Sequence, residues 1–138
     1  MANEAEILVE LEPAVGFTVS DSTGIEKGTH LKLTDNMTVI KTSAAADAFA
    51  GIAAEEKVSG DGKTELGVYL RGIFKGTAGG TITAGDIVQS ETGGTNEILT
   101  AAATSENAKG CGIALQDATD GQTLRVLLNV GIGGVLDT

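Results

Sequence analysis

The chain has 138 residues, 20 of them glycine and one proline, and carries a formal net charge of −10. That length suits one compact unit with a core of its own. An acidic chain without Lys or Arg clusters argues against nucleic acid and anionic membranes as partners, and a lone Cys111 rules out an internal disulfide framework.

The opening, MANEAEILVELEP, lacks the basic start and apolar stretch of a secretory signal, so synthesis and assembly in the cytosol are expected. Within it, Ala5, Glu6, Ile7, Leu8, Val9, Glu10 and Leu11 form a short apolar run set among glutamates, and Pro13 stops it. Two readings are open: an edge strand of the chain's own sheet, or an arm that adds a strand to a neighbour. The run is terminal and lies outside the repeat described below. The expectation is therefore an extended arm, residues 1–13, that pairs with another chain, followed by one β domain, residues 14–138.

VGFTVS at 15–20 alternates with period two, as a half-buried strand does. Asp21 to Gly24 is a turn, Leu31 and Leu33 alternate again, Asp35-Asn36 turns, and 37–42 reads as a strand. SAAADAFA at 43–50 is a loop or one helical turn, because Gly51 ends it at once. Residues 51–73, GIAAEEKVSGDGKTELGVYLRGI, then read as a hairpin whose Asp61-Gly62 supplies the positive φ of a tight turn.

The second half repeats this order. Ile82-Thr-Ala-Gly85 and Val88 match Ile25-Glu-Lys-Gly28 and Leu31, and Ala101 to Ala103 match Ala44 to Ala46. GIALQDATDGQTLRVLLNVGI at 112–132 matches the first hairpin, with Asp120-Gly121 in place of Asp61-Gly62 and a closing Gly131-Ile132 for Gly72-Ile73. The halves are expected at about 25–76 and 82–134, joined by Thr77-Ala78-Gly79-Gly80, with the two Asp-Gly turns equivalent. The fold expected is all-β: a small barrel or sandwich with an internal duplication and an extended N-terminal arm. Only Phe17, Phe49, Tyr69 and Phe74 are aromatic, so Val, Ile, Leu and Ala must build the core.

Little points to chemistry. His30 has no second His or a Cys motif to make a metal site with, so it is read as a solvated or packed residue. Cys111 lies between two glycines with no sequence-adjacent base or cation to activate it. Glu55 and Glu56 are consecutive, and consecutive strand residues face opposite ways, so they do not converge as an acid–base pair. Neither Asp-Gly turn has a calcium loop's ligand count, and neither Gly79-Gly80 nor Gly93-Gly94 carries a phosphate-loop lysine. No enzyme and no cofactor are expected.

ITAGDIVQSE, GIALQDATDGQTLRVLLN and the Gly-Ile-Ala repeat resemble the head decoration, or capsid cement, proteins of tailed bacteriophages and related viruses. The resemblance implies a β-tulip-like domain that joins the surface of an assembled capsid, forms a homotrimer and clamps neighbouring major capsid proteins. It implies Ala5 to Leu11 as the capsid-contacting stretch, and it brings no catalytic residue. Two other readings stay open: a tail-tube or fibre component, and a small ligand-binding module. The second is weakened for sugars by the lack of Trp and the single Tyr.

Overall fold

The computed structural model describes residues 3–43, 49–90, 96–100 and 111–130. The Ala44–Ala46 and Ala101–Ala103 match, Gly93-Gly94 and Gly131-Ile132 lie outside the described residues. Among those described, the structure is all strand and turn. After β1 (Glu6–Glu10), five strands close into one barrel: β2 (Val15–Thr18), β3 (His30–Asp35), β4 (Thr38–Lys41), β5 (Phe49–Ala53) and β6 (Glu65–Tyr69). Five more close into a second: β7 (Arg71–Ala78), β8 (Ile87–Ser90), β9 (Glu97–Thr100), β10 (Gly112–Ala114) and β11 (Thr123–Asn129). The expected single barrel or sandwich is thus two barrels in series.

The duplication is complete in topology and in register. Each barrel has one parallel pair, β2–β4 and β7–β9, and four antiparallel pairs in the same order. Val15 faces Val68 as Phe74 faces Val126, Leu31 faces Gly51 as Val88 faces Gly112, and Ile52 faces Tyr69 as Ile113 faces Leu127. The repeated Gly-Ile-Ala has a steric origin. A Cβ on Gly51 would run into the Tyr69 carbonyl oxygen, and one on Gly112 into the equivalent carbonyl of Leu127.

Two expectations need correction. The halves do not divide at 77–80: β7 starts at Arg71, so Gly72-Ile73 belongs to the second barrel, and Leu70 alone separates β6 from β7. A strand as apolar as RGIFKGTA pairs along its length with β11, which the sequence of either half alone does not reveal. The Asp-Gly turns do occupy the same connection, β5–β6 and β10–β11. The first connection, residues 54–64, is three residues longer than the second, 115–122, so the two dipeptides are not superposed residue for residue.

That longer loop holds a buried charge. Lys57 stands where the second barrel has Ala118: each bridges an isoleucine, Ile25 or Ile82. The Lys57 side chain is fully buried, and its ammonium donates to Asp61 Oδ1 (2.7 Å), Asp21 Oδ1 (3.0 Å) and the carbonyls of Val58 (2.7 Å) and Asp21 (3.0 Å). Burial pulls the Lys57 pKa down, but the bonds it donates to Asp61 and Asp21, and their charges, more than offset this and leave it raised. The Lys57 bond, with the Lys63 N–H, holds Asp61 down to about 2.

The barrels meet end to side. In the first barrel the cross-strand row His30–Ile52–Tyr69 points outward, and it closes the open end of the second. Ile52 joins the second barrel's core with Phe74, Ile98, Cys111, Val126 and Leu128, and Tyr69 meets Phe74 edge-on at 5.7 Å. His30 is buried there: Nδ1 shares a hydrogen bond with Ser90 Oγ (2.9 Å), the backbone N–H donates to Asn96 Oδ1 (3.0 Å), and Phe49 packs edge-on against the ring. Thr42 Oγ1 adds a contact to Ser90 Oγ at 3.3 Å. Burial lowers the His30 pKa to about 4, so the ring is neutral at pH 7.

The N-terminal segment is a brace between the barrels. β1 pairs antiparallel with β7 of its own chain, Ala5 N–H donates to the Gly28 carbonyl (2.9 Å), and Asn3 Nδ2 donates to Glu97 (3.3 Å). Ala5 and Ile7 pack against the second barrel's core. The expected arm, pairing with another chain, is therefore replaced by a strand of the chain's own sheet. The reason is physical: β7 is longer than β9's pairing with it, and β1 covers the main-chain edge and apolar side left over. Gly28 has φ +89, and a Cβ there would fall on the Ala5 carbonyl oxygen and Glu4 Cβ.

Three outcomes are expected. First, His30 binds its proton less readily folded than unfolded, so stability is full above about pH 6.5 and falls as pH drops toward 4, by about 3 kcal/mol in all. Chemical denaturation from pH 7 to 4 reads this, and His30→Gln should flatten that part of the slope; an unchanged slope contradicts it. Second, Asp61→Asn should lower Tm by several degrees while Asp120→Asn leaves it alone. Asp61 is depressed, so its contribution is complete above about pH 3.8 and is lost as pH falls toward about 2. Third, Gly28→Ala should destabilise more than Gly85→Ala, its repeat counterpart. Both pay for positive φ, about 1–2 kcal/mol, but Gly85 has open space around it and Gly28 has Ala5. Removing residues 1–12 should lower stability and abolish the difference between the two glycine variants.

Candidate interaction surface

The surface begins with an irregularity in β1. Glu6 and Ile7 face Lys75 and Phe74, whereas Val9 and Glu10 face Ile73 and Gly72, so Leu8 is an extra residue in the ladder. A bulge of this kind breaks strict alternation and puts neighbours on one side. Ile7 turns toward the core; Leu8 and Val9 both turn outward, 40% and 45% exposed. Together with Ile73, Leu115, Gln116 and Arg125 they line an open groove of about 450 Å³. Leu11 follows the strand, 43% exposed.

The structure sorts the expected contact residues. Ala5 and Ile7 are half-buried and hold the fold. Glu6 lies 3.9 Å from the Lys75 ammonium at the surface. Burial, then the charge of nearby Glu10, raises the Tyr69 pKa. Only Leu8, Val9 and Leu11 present exposed apolar surface. Among the described residues β1 is also the last strand of its sheet, and a sheet edge is a ready template for a further chain.

Sequence reasoning missed Ile73, Leu115, Gln116 and Arg125, which topology brings beside β1. One signal was present. The repeat reads Gly-Ile-Ala-Ala in the first barrel and Gly-Ile-Ala-Leu in the second, and the added Leu115 is 43% exposed. Leu115 adds to the apolar lining that Leu8, Val9 and Ile73 provide.

The reactive side chains are occupied. Cys111 is buried and its thiol is pushed up to about 12 by burial. Glu55 accepts from the Lys63 ammonium and the Gly67 N–H (2.7 Å), and those bonds lower its pKa. Among the described residues no group of three or more His, Cys, Asp or Glu is placed to hold a metal ion.

Comparison with known proteins places this arrangement. The curated proteins give no match. A solved structure, the head fiber gp8.5 N base in bacteriophage phi29, has the same fold at a TM-score of 0.55 and 17% identity, covering 85% of this chain and 95% of that one. The model of the phage cement protein family matches residues 17–130, both barrels nearly whole. The chain therefore belongs to the phage cement protein family: a non-catalytic structural protein of the capsid surface.

Proposed function

We propose that this cement protein binds the outer face of the assembled capsid through the β1 groove, and that copies of it clamp neighbouring major capsid proteins as a homotrimer. The observation that carries the reading is the bulge at Leu8. It presents two adjacent aliphatic side chains in an exposed groove, on a strand that ends its sheet among the described residues and offers that edge to an extended segment of the major capsid protein. Burying such a groove contributes about 25 cal/mol per Å² of apolar surface, and because β1 is already ordered on β7, little ordering cost opposes it. The remaining carboxylates of this acidic chain then face solvent or basic capsid residues.

A second reading draws on the likeness to the head fiber base: the two barrels act as a base on the capsid from which a further part projects. It shares the capsid-bound surface and differs in what the outer end carries.

The test is binding to undecorated capsids of the parent virus. Val9→Asp and Leu8→Ser should weaken binding at least about tenfold with Tm unchanged, since both side chains are exposed. Because the groove is mostly apolar, wild-type affinity should change no more than about threefold between roughly 50 and 500 mM salt. Full decoration by Val9→Asp, or affinity that climbs steeply as salt is removed, contradicts the reading.

A further inference from the structure

The repeat makes the contact between the barrels a template. In it, the outward row His30–Ile52–Tyr69 of the first barrel stops the open end of the second, which Phe74, Ser90 and Asn96 help to form. Register gives each of these a counterpart. The row's counterpart on the second barrel is Ile87–Ile113–Leu127, joined across strands in the same way. The counterparts of Phe74, Ser90 and Asn96 on the first barrel are Val15, Leu33 and Met37. Met37 and Asn96 even share a positive φ, 48° and 62°, rare for residues with side chains.

Both of these counterparts are apolar where the internal contact is polar. Ile87 replaces His30, Leu33 replaces Ser90 and Met37 replaces Asn96. At the open end of the first barrel Val15, Leu33 and Met37 are 40%, 46% and 55% exposed. On the second barrel the row is half-buried. The two-barrel body thus carries one socket and one counterpart of the stopper face, the arrangement of a heterologous, head-to-tail contact.

We propose that a second copy of this chain occupies the first barrel's open end, seating its Ile87–Ile113–Leu127 row over Val15, Leu33 and Met37 as the first barrel's own row seats on the second. The occupant follows from the internal contact, in which the register-equivalent row and socket of the two barrels fit one another. Repetition of the contact closes a ring or extends a chain. The row adjoins the β1 groove through the Leu127–Ile73 pair, but self-association is measured without capsid, so the inference stands whether or not the groove binds capsid.

Mass measurement by light scattering over a concentration series, up to about 0.5 mM, reads self-association. Wild type should form oligomers. Met37→Glu and Leu33→Asp, on exposed socket positions, and Ile113→Asp and Leu127→Lys, on the row, should each shift the protein to monomer, with at least a tenfold rise in dissociation constant. The decisive step is mixing. A Met37→Glu copy keeps its row and an Ile113→Asp copy keeps its socket, so the mixture should yield 1:1 dimers and nothing larger. A monomeric wild type, oligomers that survive all four substitutions, or a mixture that stays monomeric overturns the proposal. Should the row variants misfold by circular dichroism, mixing Met37→Glu with wild type decides instead: chains should terminate at shorter length, and an unchanged mass distribution overturns it. Variants that keep wild-type mass but lose capsid binding would assign both faces to the major capsid protein, which also overturns it.

Discussion

The contact on which the molecule depends is the closure of one barrel by the side of the other. A five-stranded barrel filled mainly by Val, Ile, Leu and Ala is narrow, and its end exposes core to water unless something stops it. At the second barrel that stopper is Ile52 with Tyr69 and Phe49, and the polar edge of the plug is satisfied by His30, Ser90, Thr42 and Asn96. Buried polar groups are costly unless bonded, so this set fixes one relative placement of the barrels where an all-apolar plug would tolerate several. Duplication alone would give two beads on a string; the His30 cluster makes one body of them.

The N-terminal strand completes that body. It pairs with β7 of the second barrel and touches Gly28 of the first, so it crosses the joint. One side of a single strand therefore stabilises the fold while the other presents Leu8 and Val9. The two jobs are separable only because of the bulge: in a regular strand Leu8 and Val9 would face opposite ways, and one of them would be lost to the core or to the far side. On the proposed function, rigidity and adhesion come from the same few residues.

Much of the fold is legible in the sequence. The Gly-Ile-Ala repeat, the Ile-x-x-Gly pairs and the period-two runs mark the duplication and the strands, because each reflects a local steric or patterning requirement. What the sequence hid was non-local. Nothing in RGIFKGTA says that it opens a second barrel, since its partners, β9 and β11, lie 20 and more residues further on. The apolar run at Ile7 to Leu11 reads equally well as an adhesive arm or an edge strand, and the length of β7 decides between them. Lys57 looks like one more surface lysine; only the barrel places it opposite Ile25, within reach of Asp21 and Asp61. The candidate surface shows the same division, with Leu8 and Val9 apparent in the sequence and Ile73 and Arg125 supplied by pairing.

The central claim is that β1 stays on its own barrel and offers its outer side to the capsid. A cryo-EM reconstruction of decorated capsids, at a resolution that separates strands, tests it most directly. The account predicts β1 still hydrogen-bonded to β7, with major capsid protein density against Leu8, Val9 and Leu115. Density showing residues 5–11 detached from β7 and threaded into the shell, or capsid contacts confined to a face without the β1 groove, would contradict it.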